Sequence, residues 1–256
     1  LQFIRYAITL QKNNVHILIC TQSKLSTLIK ASGIEASLLS PQEAGKITEG
    51  YWAPLLSIPR HLKVTPSNPI ITKPYLKSTE KLNSAWKDNL TKYKRAVIGI
   101  NWQGNRKDGR KTARNFPLKP ILKAAENING TIISLQRKSK HSENRSPWQS
   151  KNLTEIQEQI HRLADSNSDS AFIEYAAVIA NCDLVITTAT TTCHLAAAMG
   201  ITTWVLLHKV PDWRWGLEGE TSFWYPSMRL FRQKDFGIWD DVFTHVASEL
   251  NQKFSR

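Results

Sequence analysis

Three stretches of the chain hold side chains able to do chemistry. The first is Thr187-Thr-Ala-Thr-Thr-Thr192, followed by Cys193 and His194. It joins the apolar run Asp183-Leu-Val-Ile-Thr187 to a short helical stretch that stops at Gly200. Hydroxyls and backbone N–H groups in the first turn of a helix suit a phosphate. A helix that Thr190 or Thr191 merely caps has the same pattern and needs no ligand. His194, four residues after Thr190, would face the same crevice; a lone histidine is equally at home as a structural residue.

The second stretch, Gly104 to Pro117, carries Arg106, Lys107, Arg110, Lys111 and Arg114. Guanidinium and ammonium groups in a glycine-containing loop after a strand can clamp a diphosphate, arginine with bidentate geometry. The first four also read as a solvated surface. Arg114, nearest the helix start at Pro117, is the candidate phosphate ligand. The third stretch is aromatic: Trp204, Trp213, Trp215, Trp224 and Trp239 crowd into 36 residues. Such rings stack on a base or sugar, or pack a core. Asp212 beside Trp213 could accept a sugar hydroxyl or cap a turn. The sequence has no H-E-x-x-H, no C-x-x-C and no carboxylate cluster, so no metal is expected. It has no G-x-S-x-G either, which sets serine hydrolase chemistry aside.

These residues need elements to position them. Val15–Cys20, 96–101, 131–135, 183–187 and 203–207 read as buried strands. Residues 3–10, 23–31, 80–93, 117–126, 170–182 and 238–254 read as helices. Tyr51–Pro59, apolar but broken by proline, reads as a buried loop or short strand. Prolines 59, 66, 69 and 74 mark a linker. Residues 210–233 read as an aromatic loop after the last strand. Strand–helix alternation on both sides of the linker predicts an α/β protein with two Rossmann-like halves. Ligands in such sheets bind beyond the carboxyl ends of the strands. Those ends carry 101–105, 136–137, 187–192 and 208–209, which adds Gln103, Asn105 and Gln136 to the candidate site.

Of the 256 residues, 41% are hydrophobic, enough to build a core. The formal net charge of +13 favours an anionic partner. The cations are interleaved with glutamates, which weighs against nucleic acid. Cys20, Cys182 and Cys193 lack disulfide-like spacing and read as buried thiols of a reducing, cytoplasmic compartment. No apolar run reaches the length of a membrane span. The opening on Leu1, in a helix with no strand ahead of it, reads as a piece of a longer protein.

Several blocks match a known pattern: Leu1-Gln-Phe-Ile-Arg-Tyr-Ala7, Pro54-Leu-Leu-Ser-Ile-Pro59, Gly99-Ile-Asn-Trp-Gln-Gly-Asn105, Arg114-Asn-Phe-Pro-Leu118, Ser134-Leu-Gln136, Asp183–Thr187 and His194-Leu-Ala196. The most specific is Val210-Pro-Asp-Trp-Arg-Trp215 together with Trp224–Gln233. In these the chain resembles the glycosyltransferase-like domain at the C-terminus of bacterial tetratricopeptide-repeat proteins, related to the heptosyltransferases of glycosyltransferase family nine. The resemblance implies a GT-B fold: an N-terminal, acceptor-side Rossmann-like domain over 1–75 without its first strand, a linker and helix over 76–93, a nucleotide-sugar-binding domain over 94–237 and a terminal helix over 238–256. It implies transfer of a sugar from a nucleotide diphosphate sugar to an acceptor hydroxyl of a saccharide or protein, without a metal or other cofactor. Upstream tetratricopeptide repeats are a further implied partner. The donor would be held by Gln103, Asn105, Arg114, Gln136, Thr190, Thr191, Thr192 and Asp212, with His194 as the candidate catalytic residue. The chain departs from the pattern at three points. The Gly-Asp that usually precedes the first block, its Asp resembling a general base, is missing from the sequence. Ala189 stands where the donor loop usually has Asp, and Asn115 where Ser is common. A binding or scaffold module without turnover is therefore the main alternative, and a basic nucleic-acid-binding protein the second.

Overall fold

A computed structural model of the chain describes residues 1–13, 15–70, 73–94, 96–104, 115–126, 128–136, 154–165 and 168–254. A 3-10 turn, Gln2–Ile4, leads into α1 (Arg5–Gln11). Strand β1 (Leu18–Cys20), helix α2 (Ser23–Ala31) and strand β2 (Ser37–Leu39) form one β-α-β unit whose strands pair in parallel. Helix α3 (Pro41–Ala44) follows, then a second 3-10 turn (Leu55–Ser57) that runs into α4 (Ile58–His61). Helix α5 (Glu80–Thr91) opens on Thr79, whose hydroxyl accepts from the Leu82 N–H.

The second half holds β3 (Val97–Asn101), α6 (Leu118–Ala125), β4 (Thr131–Ser134), α7 (Thr154–Asp165), α8 (Ala171–Ala180), β5 (Leu184–Thr188), α9 (Thr191–Ala198), β6 (Thr203–Leu207), β7 (Thr221–Ser222), β8 (Tyr225–Arg232) and α10 (Asp240–Phe254). Its six-stranded sheet runs β4-β3-β5-β6-β8-β7. Every neighbouring pair is parallel except β7–β8. The four strands expected in this half are all present, side by side and parallel. Each residue of β3, β5 and β6 is buried, which is why they read as unbroken apolar runs.

Side chains alternate across this sheet. Ile98, Ile100, Leu184, Ile186, Trp204 and Leu206 point to one face and pack with Ile121 of α6 and with Val242, Val246 and Leu250 of α10. Val97, Val185, Val205 and Leu207 point to the other, in a core with Tyr175 and Ile179 of α8 and Leu195 of α9. Phe3, Tyr6, Leu28, Ile29 and Leu90 belong to that same core, so the N-terminal helices and the large sheet share one contiguous apolar interior.

The chain from Pro74 to Leu76 is fastened to the end of α9. The N–H groups of Tyr75 and Leu76 both donate to the Ala198 carbonyl, at 2.9 and 3.2 Å. Gly200 permits this approach: its φ is +80°, and a Cβ there would lie 2.5 Å from Pro74 Cγ.

Four expectations are corrected. Tyr51–Pro59 is not buried: Tyr51 and Trp52 are exposed, and so are Leu55 and Leu56. Among the described residues no element covers Tyr51 and Trp52, while Ile58 at the end of the segment packs against the core. The first strand is only three residues long, and Val15 ahead of it is exposed. Cys20, at the end of that short strand, is exposed too, while Cys182 and Cys193 are buried. Finally, 210–233 is not all loop. Tyr225–Arg232 is the longest strand of the sheet, hidden in the sequence because Pro226 and the two arginines interrupt its alternation.

Candidate functional site

The strand order reverses between β3 and β5: β4 lies on one side of β3, while β5, β6 and β8 extend on the other. In open parallel sheets the crevice at such a reversal, beyond the carboxyl ends, is where ligands are held. The two ends that meet here are Asn101 of β3 and the Thr187–Thr190 turn after β5. They are joined by side chains. Thr190 Oγ1 donates to Asn101 Oδ1 at 3.1 Å, and Thr187 Oγ1 does so at 3.4 Å. Asn101 Nδ2 in turn donates to the Leu135 carbonyl at 3.4 Å, beyond the end of β4.

Thr190 is the N-cap residue of α9 by backbone conformation, yet its own side chain makes no capping hydrogen bond. The Thr190 hydroxyl is turned to Asn101 instead. The positive end of the α9 dipole therefore opens at the switch point without a hydroxyl across it. Thr191, the first helical residue, is exposed. Thr192 is turned inward, where its hydroxyl lies 3.2 Å from Tyr175 Oη, itself a donor to the Leu135 carbonyl at 2.7 Å. Burial pushes the Tyr175 phenol far above its ordinary range, so it stays a neutral donor.

Gln136 spans from the end of β4 to the loop after β3. Its Oε1 accepts from the Trp102 and Gln103 N–H groups at 3.2 and 2.8 Å, and its Nε2 donates to the Gln103 carbonyl at 3.1 Å. The whole amide is thus used to fix the Trp102–Gln103 backbone. Asn115 holds the same loop from the other side: its Oδ1 accepts from the Gly104 N–H at 3.1 Å. Asn105 and Arg114 lie outside the described residues.

One helical turn past Thr190, His194 enters a second cluster. Its Nδ1 is 3.0 Å from Tyr225 Oη, and its ring stacks on Trp215 at 5.2 Å between centroids. Burial lowers the imidazole pKa to about 3, helped by the positive charges of Arg214 and Arg5 and opposed by Asp212. The ring is neutral at physiological pH and a weak base. Asp212 caps the short turn Trp213–Trp215, accepting from the Arg214 N–H at 3.1 Å and pairing with Arg214 Nη1 at 2.8 Å. Behind Tyr225 lies Arg5, 1% exposed. Its guanidinium donates to the carbonyls of Gln2 and Trp224 and to Tyr75 Oη, and it rests 4.5 Å from the Tyr225 ring centre. Among the described residues this buried cation is held by carbonyls, a hydroxyl and the faces of Tyr75 and Tyr225, with no carboxylate bonded to it.

No protein-family model matches the sequence, and no curated protein matches it. Two solved structures are similar in fold. The E. coli ADP-heptose LPS heptosyltransferase II aligns over 71% of this chain at 15% identity and a TM-score of 0.44. A glycosyltransferase of family 9 from Veillonella parvula aligns over 99% at 11% identity and a TM-score of 0.41. The aligned part spans 55% of the heptosyltransferase chain and 71% of the Veillonella one.

Among the expected residues, Gln103 and Gln136 are bonded to each other beyond β3 and β4, Thr190 is bonded to Asn101, Thr191 is exposed and Thr192 is buried against Tyr175. His194 stacks on Trp215, in the turn that Asp212 caps. Sequence reasoning placed Asn101 inside the strand end 101–105 without singling it out, and gave Tyr225 and Arg5 no role. Arg5 left a trace, a lone cation inside the apolar run Phe3-Ile4-Arg5-Tyr6-Ala7. Tyr225 left none, because its partners are distant in sequence. Among the described residues no group of three His, Cys, Asp or Glu side chains could hold a metal ion.

Proposed function

We propose that the chain is a glycosyltransferase-like domain with the GT-B layout that binds a nucleotide diphosphate sugar at the β3–β5 switch point. The reading is carried by the bond between Asn101 and Thr190, which leaves the N-terminus of α9 open at the crevice. The diphosphate takes that helix end, where backbone N–H groups and the dipole balance its charge. Arg114 supplies the guanidinium, in the block that resembles family nine. Trp102 and Gln103, fixed by Gln136, border the nucleotide. His194 and Asp212 face the sugar. His194 is the candidate catalytic group, but an imidazole with a pKa near 3 is a poor proton acceptor at neutral pH, so we assign it a positioning role. No metal enters this reading, because the helix end and cations take its place.

Two observations favour binding with little turnover: the weak basicity of His194, and Ala189 in the donor loop, which packs against the core and offers no carboxylate. Calorimetry with a panel of nucleoside diphosphates and their sugars tests the assignment. One ligand should bind, and Arg114→Ala should weaken it by roughly 1.5–3 kcal/mol, as expected for a charge-assisted hydrogen bond. Absence of binding at millimolar ligand, or an unchanged affinity in the variant, contradicts the reading. Sugar transfer should be near background in the chain as it is and rise in Ala189→Asp.

A further inference from the structure

Residues 46–56 are exposed at every position. The segment is not a polar loop. It carries Ile47 at 51% exposure, Tyr51 at 108%, Trp52 at 88%, Leu55 at 38% and Leu56 at 55%. Gly50, with φ of +100°, turns the chain immediately before the two aromatics. Both bases of the loop are fixed. On one side Ser40 and Glu43 close a capping box at α3, with Ser40 N–H donating to Glu43 Oε2 at 2.7 Å and Glu43 N–H to Ser40 Oγ at 3.2 Å. On the other, the Leu55–Ser57 turn runs into α4 and lies beside the Gln2–Ile4 turn. The aromatics are therefore presented to solvent on a segment anchored at both ends.

A segment exposed at every position does not enclose a small molecule. Its apolar atoms leave water only when the loop meets a surface. We propose that loop 46–56 docks on an anionic membrane surface, with Tyr51 and Trp52 entering the headgroup layer and Ile47, Leu55 and Leu56 following them. Tyrosine and tryptophan are the residues that settle at that depth, with an apolar ring and a polar edge. Charge selects the same occupant. Lys46 at one base and Arg60 and Lys63 at the other are exposed, and along this stretch only Glu49 opposes them. The other nearby acid, Glu43, is engaged in its capping box. The net charge of +13 draws the whole molecule to an anionic surface and disfavours pairing with a second equally charged copy. Insertion is shallow: among the described residues no helix is long and apolar enough to cross a membrane.

Co-sedimentation of the chain with sucrose-loaded vesicles tests this, using phosphatidylcholine alone and phosphatidylcholine with about one-third phosphatidylglycerol. The chain should pellet with the anionic vesicles and not with the neutral ones, and raised salt should weaken binding. Tyr51→Ser with Trp52→Ser should lower partitioning by about tenfold or more. Both sites are fully exposed, so the fold and the nucleotide affinity should not change. Lys46→Glu with Arg60→Glu and Lys63→Glu should abolish the preference for anionic lipid. Failure of the unaltered chain to pellet overturns the proposal, as does equal pelleting by the double serine variant. Sedimentation velocity identifies the rival occupant: a dimer that the serine variant dissolves assigns the loop to a second copy and overturns membrane docking. None of these outcomes depends on the chain binding a nucleotide sugar.

Discussion

His194 is held as a neutral ring by burial first and by neighbouring cations second, and that has a measurable sign. In the unfolded chain the imidazole takes a proton near pH 6.5, while in the folded chain it does so only at about 3. The unfolded state therefore binds the extra proton throughout the interval between those values. Stability is intact above about pH 6.5 and is lost as the pH falls towards 3, by at most ~1.4 kcal/mol per pH unit from this group. Urea midpoints of the chain and of His194→Gln, compared from pH 7 to pH 4, should diverge in slope, with the variant less acid-sensitive. Parallel curves would mean that His194 is protonated in the folded chain. Thr190 offers a second test at this scale. Its hydroxyl bonds to Asn101 rather than capping α9, so Thr190→Ser should keep nucleotide binding. Thr190→Val removes the nearer of the two hydroxyls that donate to Asn101 Oδ1 and should cost roughly 0.5–1.5 kcal/mol in stability.

Among the elements, the segment after β6 is tied down by one arginine. The Arg232 guanidinium donates to the carbonyls of Trp215, Gly216, Glu218 and Gly219. Gly216 and Gly219, at φ of +61° and +77°, give the turn the shape that brings those carbonyls together. Trp215, so placed, stacks on His194. Arg232→Met should lower unfolding stability by about 1–3 kcal/mol in urea titrations, and Arg232→Lys should rescue little, since an ammonium cannot span four acceptors. Full stability in Arg232→Met would make the carbonyl cage incidental. How far such features could be read in advance depends on their range. Strands β3 to β6 were legible because burial on both faces demands unbroken apolar runs. Thr190 and His194 were legible as types beside a strand end. The turning of Thr190 towards Asn101, the Arg232 cage and the burial of Arg5 were not, because each depends on partners from 13 to 219 residues away. Strand β8 was missed for a local reason, its broken alternation, and the exposure of Tyr51 for a global one, the absence among the described residues of any element to cover it.

The molecule as a whole is joined through one core. Phe3, Tyr6, Leu28 and Ile29 of the N-terminal segment pack in the same apolar interior as Tyr175, Val185 and Leu195. Arg5 reaches the Trp224 carbonyl across that junction, and Pro74–Leu76 is bonded to the end of α9. The N-terminal β-α-β unit, by contrast, has two strands of three residues each. A two-stranded sheet of that size does not persist alone in water. Its stability must come from the apolar surface that α2 buries against α8 and that Phe3 of the first 3-10 turn buries against Trp213. Residues 1–76 produced as a separate fragment should therefore be unfolded by circular dichroism. The intact chain should melt in one transition whose calorimetric and van't Hoff enthalpies agree. A folded fragment, or two separated transitions in the intact chain, would show that the N-terminal segment carries a core of its own.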